Sequence, residues 1–334
     1  MSFFNTELRR LFKRRLTRVT LALVALLLGG MAASTAFTSH QSTPEGRAAA
    51  EAAAQPQYQQ AVRDHERSIA DCEAAEARGE NTEMNYGPDC GREWGPQLEW
   101  YVQQPYEFDF AGEFGGRLMG LGLLLVLAAV LIGASFVGAE WTSGGMMNLL
   151  LWQPGRLKVL LTKLAALVTG LFGVSVLLGV CWTVAYWLIG TYRGTMGEMT
   201  AGAWTSTGLT GLRTVGLILA AAVVAFGLAS LGRHTALALG GLVGIFVINE
   251  VAVLPLLRVL GTSFPDRFTF TAHLMAWFER ELPLFDYVNC TMVQGECVPA
   301  EMVLTWQDSG LVFAIGTLLV LGAALWAMRR RDIA

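Results

Sequence analysis

Residues 138–163 read GAEWTSGGMMNLLLWQPGRLKVLLTK and stand between two long apolar runs. The stretch opens with a carboxylate, Glu140. It passes through two glycines and an apolar patch, breaks at Gln153-Pro154-Gly155-Arg156, and ends in the cations Arg156, Lys158 and Lys163. It is too polar to be part of a membrane span and too apolar to be an ordinary loop. Its meaning depends on the runs that flank it.

The chain has 334 residues, of which 53% are apolar and 15% charged. With the apolar residues gathered in long runs, this balance lies outside the soluble globular class. A helix needs roughly 20 mostly apolar residues to cross about 30 Å of hydrocarbon. Six runs qualify, near 19–37, 117–139, 159–189, 209–231, 236–257 and 309–328. The expected fold is therefore an all-α membrane protein with six transmembrane helices. The third run is overlong and is expected to tilt or project beyond the bilayer. Glycines within the runs, such as Gly170, Gly173, Gly240, Gly241 and Gly244, suit close helix contacts.

Lys and Arg near the span ends set the orientation. Arg9, Arg10, Lys13, Arg14, Arg15 and Arg18 precede the first run, and Arg329, Arg330 and Arg331 follow the last. An even number of spans puts both termini on one side, and the charge bias makes that side cytoplasmic. The opening stretch and the turn Gly232-Arg233-His234 then face the cytoplasm as well. The first run, followed by MAASTAF, can also be read as a cleaved signal peptide, but it exceeds the usual apolar core of about 7–15 residues.

Two segments are left outside. The first, 38–116, carries 15 acidic and 5 basic residues between Glu45 and Glu113. Its first half reads as helix with a break at Pro56. Its second half is rich in Gly, Pro and aromatics, which anchor chains at a membrane interface. The second segment, 258–308, holds FTAHLMAWFERELP, with Phe270, Leu274, Trp277 and Phe278 on one helical side. The implied divisions are 1–37 (N-terminus and span 1), 38–116, 117–257 (spans 2–5), 258–308 and 309–334 (span 6 and tail).

The five cysteines divide between these regions. Cys72 and Cys90 fall in the first outer segment, Cys290 and Cys297 in the second, and Cys181 in the third span. Pairs outside and a lone thiol inside fit an oxidising exterior. Cys72–Cys90 and Cys290–Cys297 disulfides are expected on proximity alone, and pairings between the segments remain open. Asn289-Cys290-Thr291 matches a glycosylation sequon, a common match that carries no weight alone.

No cofactor or metal is expected in this chain. There is no Gly-Lys dipeptide, hence no phosphate-binding P-loop, and no His-Glu-x-x-His or Gly-x-Ser-x-Gly. His40, His65, His234 and His273 show no metal spacing. The basic clusters are short and flank spans, which argues against nucleic acid. Three polar residues within the runs stand out, because ionisable groups in a membrane are costly and often functional. Glu250 lies roughly 21 Å along the fifth run at 1.5 Å per residue. Arg213 lies near the outer end of the fourth, at similar depth. The two form an ion pair or, with Asn249, line a substrate path.

The opening stretch itself resembles the membrane subunits of ABC-2 type exporters. In that family a Glu is followed by a small Ser-Gly-Thr-like turn, a leucine-rich stretch, a Pro with an Arg two residues on, and a Lys opening the next span. Here these are Glu140, Ser143-Gly144, Leu149 to Leu151, Pro154, Arg156 and Lys163. Gly145 replaces the hydroxyl residue of the turn. GLASLGRHTALALG at the junction of spans four and five is similar to the family's inner turn. The acidic outer segment exceeds the minimal pattern and resembles members with an insert after span 1.

Periodicity agrees with a surface helix here: Met146, Met147, Leu150 and Leu151 share a face at i, i+1, i+4, i+5. Pro154 and Gly155 then end it. The resemblance implies a cytoplasmic coupling helix within 140–156, docked on an ATP-binding subunit that supplies ATP-Mg. It also implies a second permease copy, identical or paralogous, surrounding membrane lipid, and the cell membrane of a bacterium. The rival is a non-transporting receptor or assembly factor that binds through the acidic outer segment.

Overall fold

The computed structural model describes residues 3–80, 82–103, 105–152, 155–293 and 296–330. Twelve α-helices and one hairpin follow in order: α1 Phe3–Lys13, α2 Arg15–Thr38, α3 Pro44–Ala77, α4 Glu83–Tyr86, α5 Phe110–Thr142, α6 Gly145–Trp152, α7 Arg156–Arg193, α8 Ala201–Gly232, α9 Thr235–Val247, α10 Leu254–Val259, α11 Phe270–Glu279, β1 Glu281–Val293, β2 Glu296–Thr305 and α12 Trp306–Arg330. Six helical stretches are long and apolar enough to cross a membrane: α2, α5, α7, α8, the stretch Thr235–Val259, and α12. The chain is a multi-pass membrane protein. The overlong third run is one helix of 38 residues, about 57 Å at 1.5 Å per residue.

The chain forms two compact units. The first comprises residues 1–32, 111–186 and 198–334, and α5 and α8 form its centre. Gly133 of α5 sits against the carbonyl of Ala222 in α8, where an added Cβ would lie 2.6 Å from that oxygen. Gly227 of α8 admits Val320 of α12 in the same way. Helices of an apolar bundle approach closely only where side chains are small, because hydrocarbon supplies no other drive to pack. α2, α12 and Thr235–Val259 keep most of their apolar surface outward.

The fifth span is not a regular helix. Residues 248–253 form a π-turn in which the Leu254 N–H bonds the Asn249 carbonyl. Pro255 follows at once. Proline has no N–H and its ring crowds the carbonyl four residues back, so a widened turn there avoids the clash.

The second outer segment departs from the all-α expectation. β1 and β2 pair antiparallel, from Glu281 opposite Thr305 to Val293 opposite Glu296, with a bulge between Asp286 and Thr291. Leu284 and Leu304 pack against Ala272 and Ala276 of α11 in a small buried core. An isolated two-stranded hairpin is marginal in water. This one gains the packing against α11 and the Cys290–Cys297 disulfide. α11 falls within the expected stretch, but its buried residues are Ala272, His273, Ala276 and Phe278.

The second unit comprises residues 33–110 and 187–197. α3 starts on Thr43, whose hydroxyl accepts from the Gly46 N–H, with Pro44 at the first turn. The break expected at Pro56 does not occur: α3 runs through it for 34 residues. One missing N–H is a tolerable loss where flanking residues such as Ala53, Ala54 and Gln55 favour helix. The Cys72–Cys90 disulfide holds the end of α3 to the turn that follows, and Arg92 reaches Glu73 at 2.5 Å across it. Buried Ser39 ties two parts of the unit together: its hydroxyl donates to the Arg193 carbonyl at 2.7 Å and accepts from the Phe108 N–H at 2.9 Å.

Candidate functional site

The stretch 138–163 is a helix end, a turn, a short helix and a helix start. α5 ends at Thr142, and Gly144 takes a left-handed conformation at φ 71° that a side chain would strain. α6 then begins at Gly145. Met146 and Leu150, four apart, are buried, and Met147 is half-buried. Leu151, expected on the same face, is 81% exposed. The two methionines and two leucines thus divide into an inward pole and an outward one. Pro154 lies outside the described residues. Arg156 begins α7 and is half-exposed.

The two charges bracketing α6 meet. Lys163 Nζ lies 2.7 Å from Glu140 Oε2 and 2.6 Å from Glu7 Oε2. The Lys163 and Glu7 side chains are closed to solvent. Glu140 also receives the Arg14 guanidinium, and Glu7 receives Arg10 at 2.8 Å. Five charges alternate in sign along the path Arg10–Glu7–Lys163–Glu140–Arg14. Arg14 also donates to the Ser135 carbonyl at 2.9 Å. The Phe136 ring, itself buried, is approached by Arg14 at 4.9 Å and Lys163 at 5.3 Å. A buried ammonium costs several kcal/mol unless it is paired and hydrogen-bonded. Here two carboxylates and an aromatic face surround it.

α1 is the element that sequence reading missed. Its Leu8, Leu11 and Phe12 close around Gly170 of α7, where a Cβ would come within 2.6 Å of Leu11. That packing carries Glu7 inward while Arg9, Arg10 and Lys13 stay exposed. One signal was available: Glu7 is the sole acidic residue before Glu45. The α8–α9 turn joins the same region. Gly138 of α5 abuts Thr235, and the Arg233 guanidinium lies 5.0 Å over the Trp141 ring. The end of α5, the start of α7 and the N-terminal helix are thus joined through one buried lysine, and the α8–α9 turn packs on the same end of α5.

The second candidate set, Arg213, Asn249 and Glu250, is not brought together as an ion pair. Glu250 accepts from the Thr271 N–H at 2.9 Å. Asn249 accepts from the Phe270 N–H and donates to the Phe268 carbonyl, both at 3.0 Å. Thr269 accepts from the Ala272 N–H at 3.1 Å. The first three donors of α11, which an isolated helix leaves orphaned, are thereby all satisfied. Arg213 instead reaches Thr210 at 2.8 Å and stands 5.3 Å over the Trp306 ring. Its carbonyl accepts from Trp277, which packs edge-on against Trp306 and Phe313. His273 lies beside this aromatic group, 3.1 Å from the Ser309 hydroxyl, and burial pushes its imidazole below the ordinary value.

Cys72, Glu76 and Cys90 form the one metal-capable cluster among the described residues, and the disulfide consumes both thiols. The free thiol, Cys181, is exposed on α7. Compared with known protein families, with curated proteins and with solved structures, the chain matches none.

Proposed function

We propose that the chain is the permease subunit of an ATP-driven exporter of the ABC-2 type. It works in a bacterial cell membrane with both termini in the cytoplasm. A separate ATP-binding subunit supplies ATP-Mg and hydrolysis, since this chain holds no nucleotide motif, and a second permease copy completes the path. The observation that carries the reading is the closure of Glu140 on Lys163 across α6. The ion pair joins the end of α5 to the start of α7, the two helices that flank α6, and Leu151 of α6 projects outward. With α5, α7 and, through Glu7, α1 joined in this way, a push transmitted through α6 moves the three together. Two global states biased by ATP would then be felt at the spans. The second copy is supported by the apolar surface left outward on α2, α9 and α12.

Purification of the full chain from its native membrane tests this. The expected result is an ATP-binding subunit that copurifies with the wild-type chain and is lost with Leu151→Glu, which disturbs no buried contact. Absence of any such subunit from the wild-type preparation would overturn the reading. It would favour a receptor acting through the disulfide-closed acidic segment.

A further inference from the structure

A groove of about 440 Å³ lies between α5, α7 and α8. Its walls include Leu121 and Leu125 of α5, the Val176–Val184 stretch of α7, and α8 from Trp204 to Ile218. It sits toward the N-terminal half of α5, about 28 Å along that helix from Glu140, and is distinct from the charged cluster. Its volume falls within the usual range of small-molecule sites, roughly 300–1,000 Å³.

The lining defines what can occupy it. No ionisable side chain is present. Thr183 donates to the Gly179 carbonyl and Thr214 to the Thr210 carbonyl, each four residues back on its own helix. Both hydroxyl protons are spent there, and Ser175, Thr207 and Trp204 are the other polar side chains of an otherwise apolar wall. A sugar, peptide or ion would lose its water shell here and find few replacements, a loss of several kcal/mol. A hydrocarbon chain loses nothing. The lip is equally informative: Val176, Val180, Val184 and Leu212 are all exposed on the outward faces of α7 and α8. Those faces belong to membrane-spanning helices, so the groove continues the surface that meets lipid. Gly208 and Gly211 hold it open, and a Cβ on either would meet nothing within 4 Å.

We propose that this groove seats one acyl chain of a membrane lipid. The seat is distinct from the ordinary contact of lipid with the outside of the bundle, because the chain lies between helices. The assignment rests on the spans alone and stands or falls separately from the exporter reading.

The test uses the full chain in phospholipid nanodiscs with a trace of phosphatidylcholine that carries a mid-chain diazirine. After irradiation, adducts are mapped by peptide mass spectrometry. Expected are adducts on 175–184 and 204–218 about tenfold above those on 237–251, corresponding to about 1.4 kcal/mol of preference. The Gly208→Leu/Gly211→Leu variant should bring the groove down to the level of 237–251. Gly240→Leu, equally open but on α9, should change nothing at the groove. Even labelling of the wild type over both regions would mean surrounding lipid only and would overturn the proposal. So would labelling that survives filling of the groove. Leu212→Cys in a Cys181→Ser background distinguishes another occupant: a covalent dimer in oxidised membranes would put a second copy there and would also overturn it.

Discussion

Lys163 Nζ lies 2.6 Å from Glu7 Oε2, a residue 156 positions earlier, with neither side chain open to solvent. The contact makes α1 part of the folded unit. It also makes the two residues unequal to ordinary surface charges, which are worth about 0–1 kcal/mol as pairs. Removing one member of a buried pair costs about 3–5 kcal/mol, because the other is left uncompensated. Lys163→Met should therefore lower the thermal midpoint of the purified protein sharply. Lys163→Met with Glu7→Leu should recover part of the loss. Equal stability of the single variant and the wild type would show that the pair does not form.

Gly138 tests the seat of the α8–α9 turn. A Cβ there would lie 2.5 Å from the Thr235 hydroxyl and 2.7 Å from its backbone nitrogen. Backbone cannot swing away as a flexible side chain can. Gly138→Val should cost about 1–3 kcal/mol, the usual penalty for overpacking. Gly173→Val, where nothing lies within 4 Å, is the matched control, and denaturation midpoints of the two separate them.

Glu250 and Arg213 should behave independently. Glu250→Leu removes a carboxylate acceptor from the first turn of α11 and should cost about 0.5–2 kcal/mol, the range for a lost helix cap. Exchanging the charges, Arg213→Glu with Glu250→Arg, should not restore stability. Rescue by the exchange would mean that the two side chains meet.

His273 gives the stability a pH dependence. Its folded value is held below the unfolded one, whose ordinary value is 6.5, chiefly by burial against Ser309 and Phe313. Nearby Asp308 and a backbone hydrogen bond oppose the shift. The unfolded chain thus binds the proton first as pH falls. The contribution is fully present above about 6.5 and is lost progressively as pH drops from there through the folded value. His273→Asn should flatten the melting-temperature profile over that window while leaving the alkaline side unchanged.

The two disulfides should differ in what they hold. Cys290 and Cys297 close a short loop at the far end of the hairpin, while Cys72 and Cys90 span 18 positions and tie α3 to the following turn. Longer loops gain more from closure, within a usual range of about 2–4 kcal/mol. Cys72→Ser with Cys90→Ser should increase protease cleavage after α3 more than the second pair does in the hairpin, as read by limited proteolysis.

The six spans and both cysteine pairs were legible because they depend on length, composition and proximity along the chain. The hairpin was not. Its inward residues Leu282, Leu284, Met302 and Leu304 alternate as a strand should, but Pro283 and Pro299 speak against one. Within the site, Glu140 and Lys163 stood out by their order around the turn. Glu7 did not, because a lone carboxylate among arginines reads as a solvated charge. Its burial comes from α1 lying on Gly170, a contact between distant segments. Periodicity put Leu151 on one face with the buried Met146 and Leu150, yet α6 has only eight residues. In so short a helix the neighbours decide which side is covered. Asn249 and Glu250 were noticed as polar in an apolar run. The π-turn that aims them at α11 follows from Pro255, one helical turn away.

The buried lysine also imposes an order on biosynthesis. At roughly 5–20 residues per second, Glu7 leaves the ribosome about 8–30 s before its partner is made. Through that interval Glu7 lacks Lys163, and Arg10, three residues on, is the partner within its own helix. Only once the start of the third span has been made can α1 take this place, so a helix that precedes the first span is fixed after that span rather than before it.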